Sequence, residues 1–366
     1  MIVLLGKIPG RHYNYREILP GVTALKSSAP RGRLVKPATQ RTIEIKTHLL
    51  VRKNYVVPTP SIDGFYERIR KCIAYGLSGS MLYGHPRFGK TSAVRYVVNM
   101  LAAEFPKIVT LSFLCLKSKT RSEAAFFSHL LEAAGHSQAH SGAISRKRSR
   151  LLNKLLERVE RSGEHLLILF ADEAQRLDIN EYEWLRDVYD ELDRHGVRVL
   201  VFLIGQPDLR NQKNALQESR QTQIVGRFMT HEIPFRGLLS VDDVATCLAG
   251  YDESCFPPST DWTYTRFFMP HAYAAGYRLV SEARSLWEAF QDAHDTARFT
   301  FELELPMKYF TQAVELVLIK NAEHDRTDYR ISAALWHDAV LESNYVSAQE
   351  SLWSRLPDGL SGPEVS

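Results

Sequence analysis

The run Gly84-His85-Pro86-Arg87-Phe88-Gly89-Lys90-Thr91 fits the spacing GxxxxGK[ST] at every fixed position. Glycines at both ends let a backbone curl so that successive N–H groups point inward at phosphate oxygens, and the helix that follows adds its partial positive charge. In that geometry Lys90 bridges the β- and γ-phosphates of ATP, the Thr91 hydroxyl holds Mg2+, and the block from Gly84 through Ser92 is the expected nucleotide cradle. Further on, the apolar run Leu166 to Phe170 ends in Ala171-Asp172-Glu173. Two acids delivered at the carboxyl end of a strand suit the same chemistry: Asp172 orients the metal's shell and Glu173 accepts a proton from the attacking water.

A second apolar run, Val197 to Ile204, ends in Gly205-Gln206-Pro207-Asp208-Leu209. In the sheet order usual for such an architecture this strand lies between the other two, so Gln206 faces the γ-phosphate and can hydrogen-bond it or the water, the role called sensor 1. Gly-Gln-Pro is also an ordinary turn sequence, and Asp208 reads as a helix cap. Arg227, just before the last expected strand, is placed to reach a neighbouring subunit's γ-phosphate in trans, with Arg220 as its nearby rival. Arg278 opens a helix further on and would fold over the nucleotide as sensor 2. For each arginine the alternative is a salt bridge with no catalytic part.

These residues need elements to hold them. Ile62, Phe65, Ile69, Ile73 and Leu77 recur at helical spacing, and Gly76 with Gly79 ends that helix before the short run Met81-Leu82-Tyr83. Strands then alternate with helices: a strand over 108–116, helices over 123–134 and 146–161, the run from Leu166, an amphipathic helix over 181–194, the run from Val197 and a last strand over 230–235. Apolar runs without alternation read as strands buried on both faces, and strand-helix-strand order gives a parallel sheet by right-handed crossovers. The expected fold is α/β, a P-loop nucleotide-binding architecture with a parallel sheet flanked by helices. Its expected layout is a basic extended arm over 1–60, the nucleotide-binding core over 61–238, a helical lid with C-terminal helices over 239–345 and a loose tail over 346–366.

Composition is that of a globular chain, with 366 residues, 45% hydrophobic and 24% charged. No window is long and apolar enough for a spanning helix and Met1 to Leu5 is too short for a secretory signal, so a cytoplasmic protein is expected. Cys72, Cys115, Cys247 and Cys255 show no metal spacing and read as reduced structural thiols. The net charge of +4 divides unevenly: residues 1–60 hold eleven basic and two acidic side chains, a local excess of nine, which leaves the rest at −5. A basic arm before an acidic body is one way to reach nucleic-acid phosphates, and a merely solvated leader is the other reading.

Together these residues resemble the AAA+ ATPases of transposons, the TnsC/TniB family, which includes regulators of CRISPR-associated transposons. The resemblance runs from about Arg52 to Phe310. It is carried by Val57-Pro58-Thr59-Pro60, the P-loop, Asp172-Glu173-Ala174-Gln175, Gly205-Gln206-Pro207-Asp208-Leu209, Arg227-Phe228, Gly237-Leu238 and Leu305-Pro306-Met307-Lys308-Tyr309-Phe310. It implies an ATPase that assembles as a hexameric or heptameric ring or a helical filament around duplex DNA. Such a protein links a target selector (TniQ/TnsD-like) to a DDE transposase (TnsB/TniA-like) and disassembles on hydrolysis. The loop Lys117-Ser118-Lys119-Thr120-Arg121 would then line the ring, with Lys117, Lys119, Thr120 and Arg121 on DNA phosphates; a polar loop capping the next helix is the alternative. Arg146, Lys147, Arg148 and Arg150 read as a solvated helix face. Secretion-type AAA motor ATPases share much of this combination, and a nucleotide-holding signalling switch is a third reading.

Overall fold

The computed structural model describes residues 3–4, 39–41, 43–117 and 121–353, which fall into two compact units. Residues 62–86 and 90–235 make an α/β unit; the described residues up to 61, with 87–89 and those from 236 on, make a helical one.

The α/β unit is built on five parallel strands: β1 (Met81–Tyr83), β2 (Val109–Leu114), β3 (Leu166–Asp172), β4 (Arg198–Gly205) and β5 (Glu232–Pro234). Their order across the sheet is β2-β3-β4-β1-β5. All seven residues of β3 are buried, and β4 is buried from Val199 onward, which is why both runs lack the alternation of a one-sided strand. Phe170 and Phe202 stack across the β3–β4 pair at 5.6 Å, and Phe65 sets its edge against both. The Pro60–Tyr75 helix brings Phe65 there by burying Ile62, Phe65 and Ile69 of the expected stripe, with Cys72 in place of Ile73, which is only partly buried, and with Leu77 beyond the helix end. The 179–194 helix starts with a capping box: Asp178 accepts from Glu181 N at 2.9 Å while the Glu181 carboxylate accepts from Asp178 N at 3.0 Å.

The helical unit holds Val241–Glu253, Ala283–Thr296, Met307–Asn321 and Ala333–Glu342 around a core rich in aromatic rings. Two expectations change here. Most of the expected arm, residues 5–38, lies outside the described residues, and residues 43–60 are not extended: Ile45–Thr47 form a 3-10 turn, and His48, Leu49 and Leu50 are buried in the helical core. Arg41 donates to Phe267 O at 2.8 Å, Phe268 O at 3.1 Å and Ala322 O at 3.0 Å, and Lys53 pairs with the buried Glu315. Arg41 thus serves carbonyls at helix ends, where positive charge is favoured, and Lys53 serves a carboxylate within the Met307–Asn321 helix. Residues 346–353 are not a loose tail either, because Tyr345–Trp353 is a helix that buries Tyr345 and Gln349. Among the described residues no helix is long and apolar enough to cross a membrane.

Candidate functional site

Parallel strands in register bring their carboxyl ends to one edge: Tyr83 lies opposite Gly205, and Asp172 opposite both Ile204 and Leu114. Ligands of open α/β sheets bind at that edge. β4 lies between β1 and β3, the arrangement that the expected role of Gln206 requires.

Gly84 opens the P-loop pressed against β5, where a Cβ would lie 2.2 Å from Phe235 O, and its N–H donates to Gly205 O at 3.2 Å. Arg87 and Gly89 take left-handed φ values of 72° and 97°, which curl the loop back toward the helix that begins at Lys90. Lys90 is only 6% exposed and donates from Nζ to Gly84 O at 2.7 Å and His85 O at 2.8 Å. Burial lowers its pKa to about 8, with the Glu173 and Asp172 carboxylates pulling the other way. The Lys90 ammonium thus sits inside the turn of the loop, on carbonyls that cannot neutralise it.

Thr91 Oγ1 donates to Asp172 Oδ2 at 2.7 Å. The other carboxylate oxygen of Asp172 accepts from Glu173 N at 2.9 Å, and burial pushes the Asp172 pKa up against these two hydrogen bonds. A P-loop magnesium site asks the protein for one hydroxyl and one outer carboxylate, the phosphates and water supplying the rest. Thr91 and Asp172 have that chemistry, while no group of three or more His, Cys, Asp or Glu suited to a metal occurs among the described residues. None of the four cysteines is in a disulfide.

Glu173 adopts a left-handed φ of 58°, where the chain turns out of β3 into the 3-10 turn Ala174–Arg176. Its Oε2 accepts from Gln175 Nε2 at 2.8 Å and from Gln206 Nε2 at 3.4 Å, and Arg176 lies 3.4 Å from the same oxygen. Glu173 and Gln206 are therefore neighbours, as the roles expected of them would require. Gln175 and Arg176 sit beside them without having been assigned a role from sequence.

The arginines and the polar loop are placed as follows. Arg227 lies in the Thr222–Phe228 helix, where it pairs with Asp190 and covers the Tyr189 ring at 4.7 Å. Arg278, in the helical unit, donates to Tyr273 O at 3.1 Å and Tyr277 O at 2.7 Å and lies 3.7 Å over the Tyr273 ring. Arg87 is turned to Tyr309, over whose ring its guanidinium lies at 5.6 Å. Lys117 is exposed, and Lys119 and Thr120 lie outside the described residues. Arg121 is held at 2.8 Å from Glu181 and 3.2 Å from Asp178, and donates to Arg176 O at 2.7 Å. In the basic helix Lys147 is buried on Ser128, and Arg148 bridges Glu123 and Asp187, so two of its four charges are spent inside the fold.

Residues 78–212 match the family described as AAA domain. The chain is similar in structure to the Aeropyrum pernix ORC2 protein in its ADPNP-ADP complexes, at a TM-score of 0.51 and 16% identity over 85% of this chain and 75% of that one. It is also similar to the Aeropyrum pernix ORC1 protein in complex with DNA, at a TM-score of 0.47 and 14% identity over 82% and 70% of the two chains. Domain III of the Thermotoga maritima replication initiation protein DnaA gives a TM-score of 0.43 and 11% identity over 78% and 94%. No curated protein matches the chain in sequence. The fold is that of an AAA+ P-loop NTPase.

Proposed function

We propose that this chain is an ATPase that assembles on duplex DNA and is dismantled by its own hydrolysis. The observation that carries the catalytic part is the contact of the Thr91 hydroxyl with Asp172, with Glu173 next in the chain and a lysine buried in the loop before it. Lys90 binds the β- and γ-phosphates, exchanging two carbonyls for two anionic oxygens. Thr91 and Asp172 are the residues that would hold Mg2+, whose chemistry when bound is to offset the phosphate charge. Glu173 takes a proton from water as the water oxygen bonds to the γ-phosphorus; the bridging P–O bond breaks and ADP leaves with its electron pair. Gln206 positions that water, and Arg227 from a neighbouring copy adds positive charge to the transferring group.

The DNA part rests on the sequence: the net positive charge of residues 1–60 and the loop holding Lys117, Lys119 and Thr120 suit phosphates rather than bases, whereas Arg121 of that loop is taken up by Asp178 and Glu181. The finer reading is a transposition regulator, supported by the combined Asp-Glu-Ala-Gln, Gly-Gln-Pro and Arg-Phe segments. As such it receives DNA from a target selector and passes it to a DDE transposase. ATP hydrolysis by the full chain, with and without duplex DNA, tests the reading. Glu173→Gln is expected to bind ATP and lose turnover by about 100-fold or more, and Lys90→Ala to lose nucleotide binding. Parent-level turnover by Glu173→Gln would remove the glutamate from the base role.

A further inference from the structure

The side chain of Gln175 spans the two catalytic strand ends. Its Oε1 accepts from the Gln206 backbone N–H at 3.1 Å, and its Nε2 donates to Glu173 Oε2 at 2.8 Å. The amide cannot be turned over, because a backbone N–H only donates and so fixes which end of Gln175 is oxygen. The remaining end, an NH2, must then face the glutamate. Space for this bridge comes from Gly205: a Cβ there would lie 2.6 Å from Gln175 Oε1 and 3.1 Å from a Leu209 methyl. Gly205, the last residue of β4, thus keeps open the seat of a side chain from the turn after β3.

Among the described residues, the side-chain contacts of the Glu173 carboxylate with Gln175, Gln206 and Arg176 all converge on Oε2. The carboxylate is therefore pinned by one oxygen, and Oε1 is the oxygen left to meet a water. From this asymmetry we infer that Gln175 is a positioning residue that fixes the rotation of the Glu173 carboxylate, presenting Oε1 as the proton acceptor, and that locks Gln206 to the same frame. The inference rests on the proposed ATPase and names a residue that sets the geometry of its base.

Gln175→Glu provides the test, since it keeps shape and the acceptor for Gln206 N–H but sets a second carboxyl against Glu173. Two facing carboxyls share a proton, so the acid limb of the kcat profile is expected to move up by about one pH unit or more. Affinity for a fluorescent ATP analogue is expected to stay within about threefold of the parent, because no phosphate-binding group is touched. Gly205→Ala pushes Gln175 from its seat without adding charge, and is expected to lower kcat about tenfold or more with the acid limb in place. Gln175→Ala is expected to do the same, and the pair together to add little, as coupled residues do.

Parent-like kcat and an unmoved acid limb in Gln175→Glu would overturn the inference, as would parent-like kcat in both other variants. Should Gln175→Glu fail to fold by circular dichroism, the two uncharged variants decide through their split between kcat and KM. Glu173→Gln, run alongside, separates this from failure of the reading beneath. Its loss of turnover beside an unaffected Gln175→Glu sinks the positioning role alone. Full turnover by Glu173→Gln, or none by the parent, sinks the base assignment and the positioning role with it.

Discussion

At the scale of single residues, the site is organised around charges whose partners are to be exchanged. Lys90 rests on two backbone carbonyls with its pKa brought down to about 8 by burial, a state that phosphates would relieve. Below pH 8 the ammonium is charged before and after binding, so affinity is flat. Above it the free protein loses the proton and must recover it on binding. ATP affinity is therefore expected to fall toward tenfold per pH unit between pH 8 and 10, with proton uptake visible by calorimetry in buffers of different ionisation heat. Affinity unchanged from pH 7 to 9.5, with no proton uptake, would contradict this. Lys90, Thr91, Asp172 and Glu173 were legible in the sequence because each follows a fixed spacing or ends an apolar strand. The bridging role of Gln175 was not, since it depends on Gly205, a residue from another strand that only sheet order brings near. Arg121 shows the same limit: a basic residue in a polar loop reads as open to phosphate, yet Asp178 and Glu181 of the next capping box hold it.

At the scale of elements, patterns that repeat were readable and single apolar doublets were not. The stripe of the Pro60–Tyr75 helix and the unbroken runs of β3 and β4 carry their own period, and the structure reproduces them to within a few residues. Residues 39–60 carry prolines, basic side chains and short apolar pairs, so a local reading finds only an arm. Tertiary packing decides otherwise. His48 stacks on Phe267 at 4.4 Å and meets Phe256, Tyr264 and Phe268 edge-on, with Nδ1 accepting from Leu50 N at 3.2 Å. Burial drives its pKa down to about 3, so the folded protein holds the ring neutral. Between pH 6.5 and 3 the unfolded chain binds a proton there that the folded chain does not. The imidazole thus removes up to about 1.4 kcal/mol of stability per pH unit of acidification in that window, and nothing above it. Urea unfolding at pH 7, 6 and 5 is expected to show His48→Leu losing less stability on acidification than the parent. Parallel losses in the two proteins would show that the ring is not held neutral.

At the scale of the whole molecule, the proposed function ties a nucleotide site in the α/β unit to assembly on DNA. Arg227 is held by an ion pair with Asp190 and by the Tyr189 face, so a role in trans would require it to leave both for a neighbour's phosphate. An active site completed by a second copy would make turnover depend on assembly, and assembly on duplex DNA would make it depend on the template. The most direct measurement is electron microscopy in negative stain of the purified full chain with duplex DNA and a slowly hydrolysed ATP analogue, beside samples lacking either ligand. Rings or filaments that form only when both ligands are present are the expected result. Particles that stay single, or rings that form regardless of DNA, would contradict assembly on DNA and leave only the nucleotide chemistry in place.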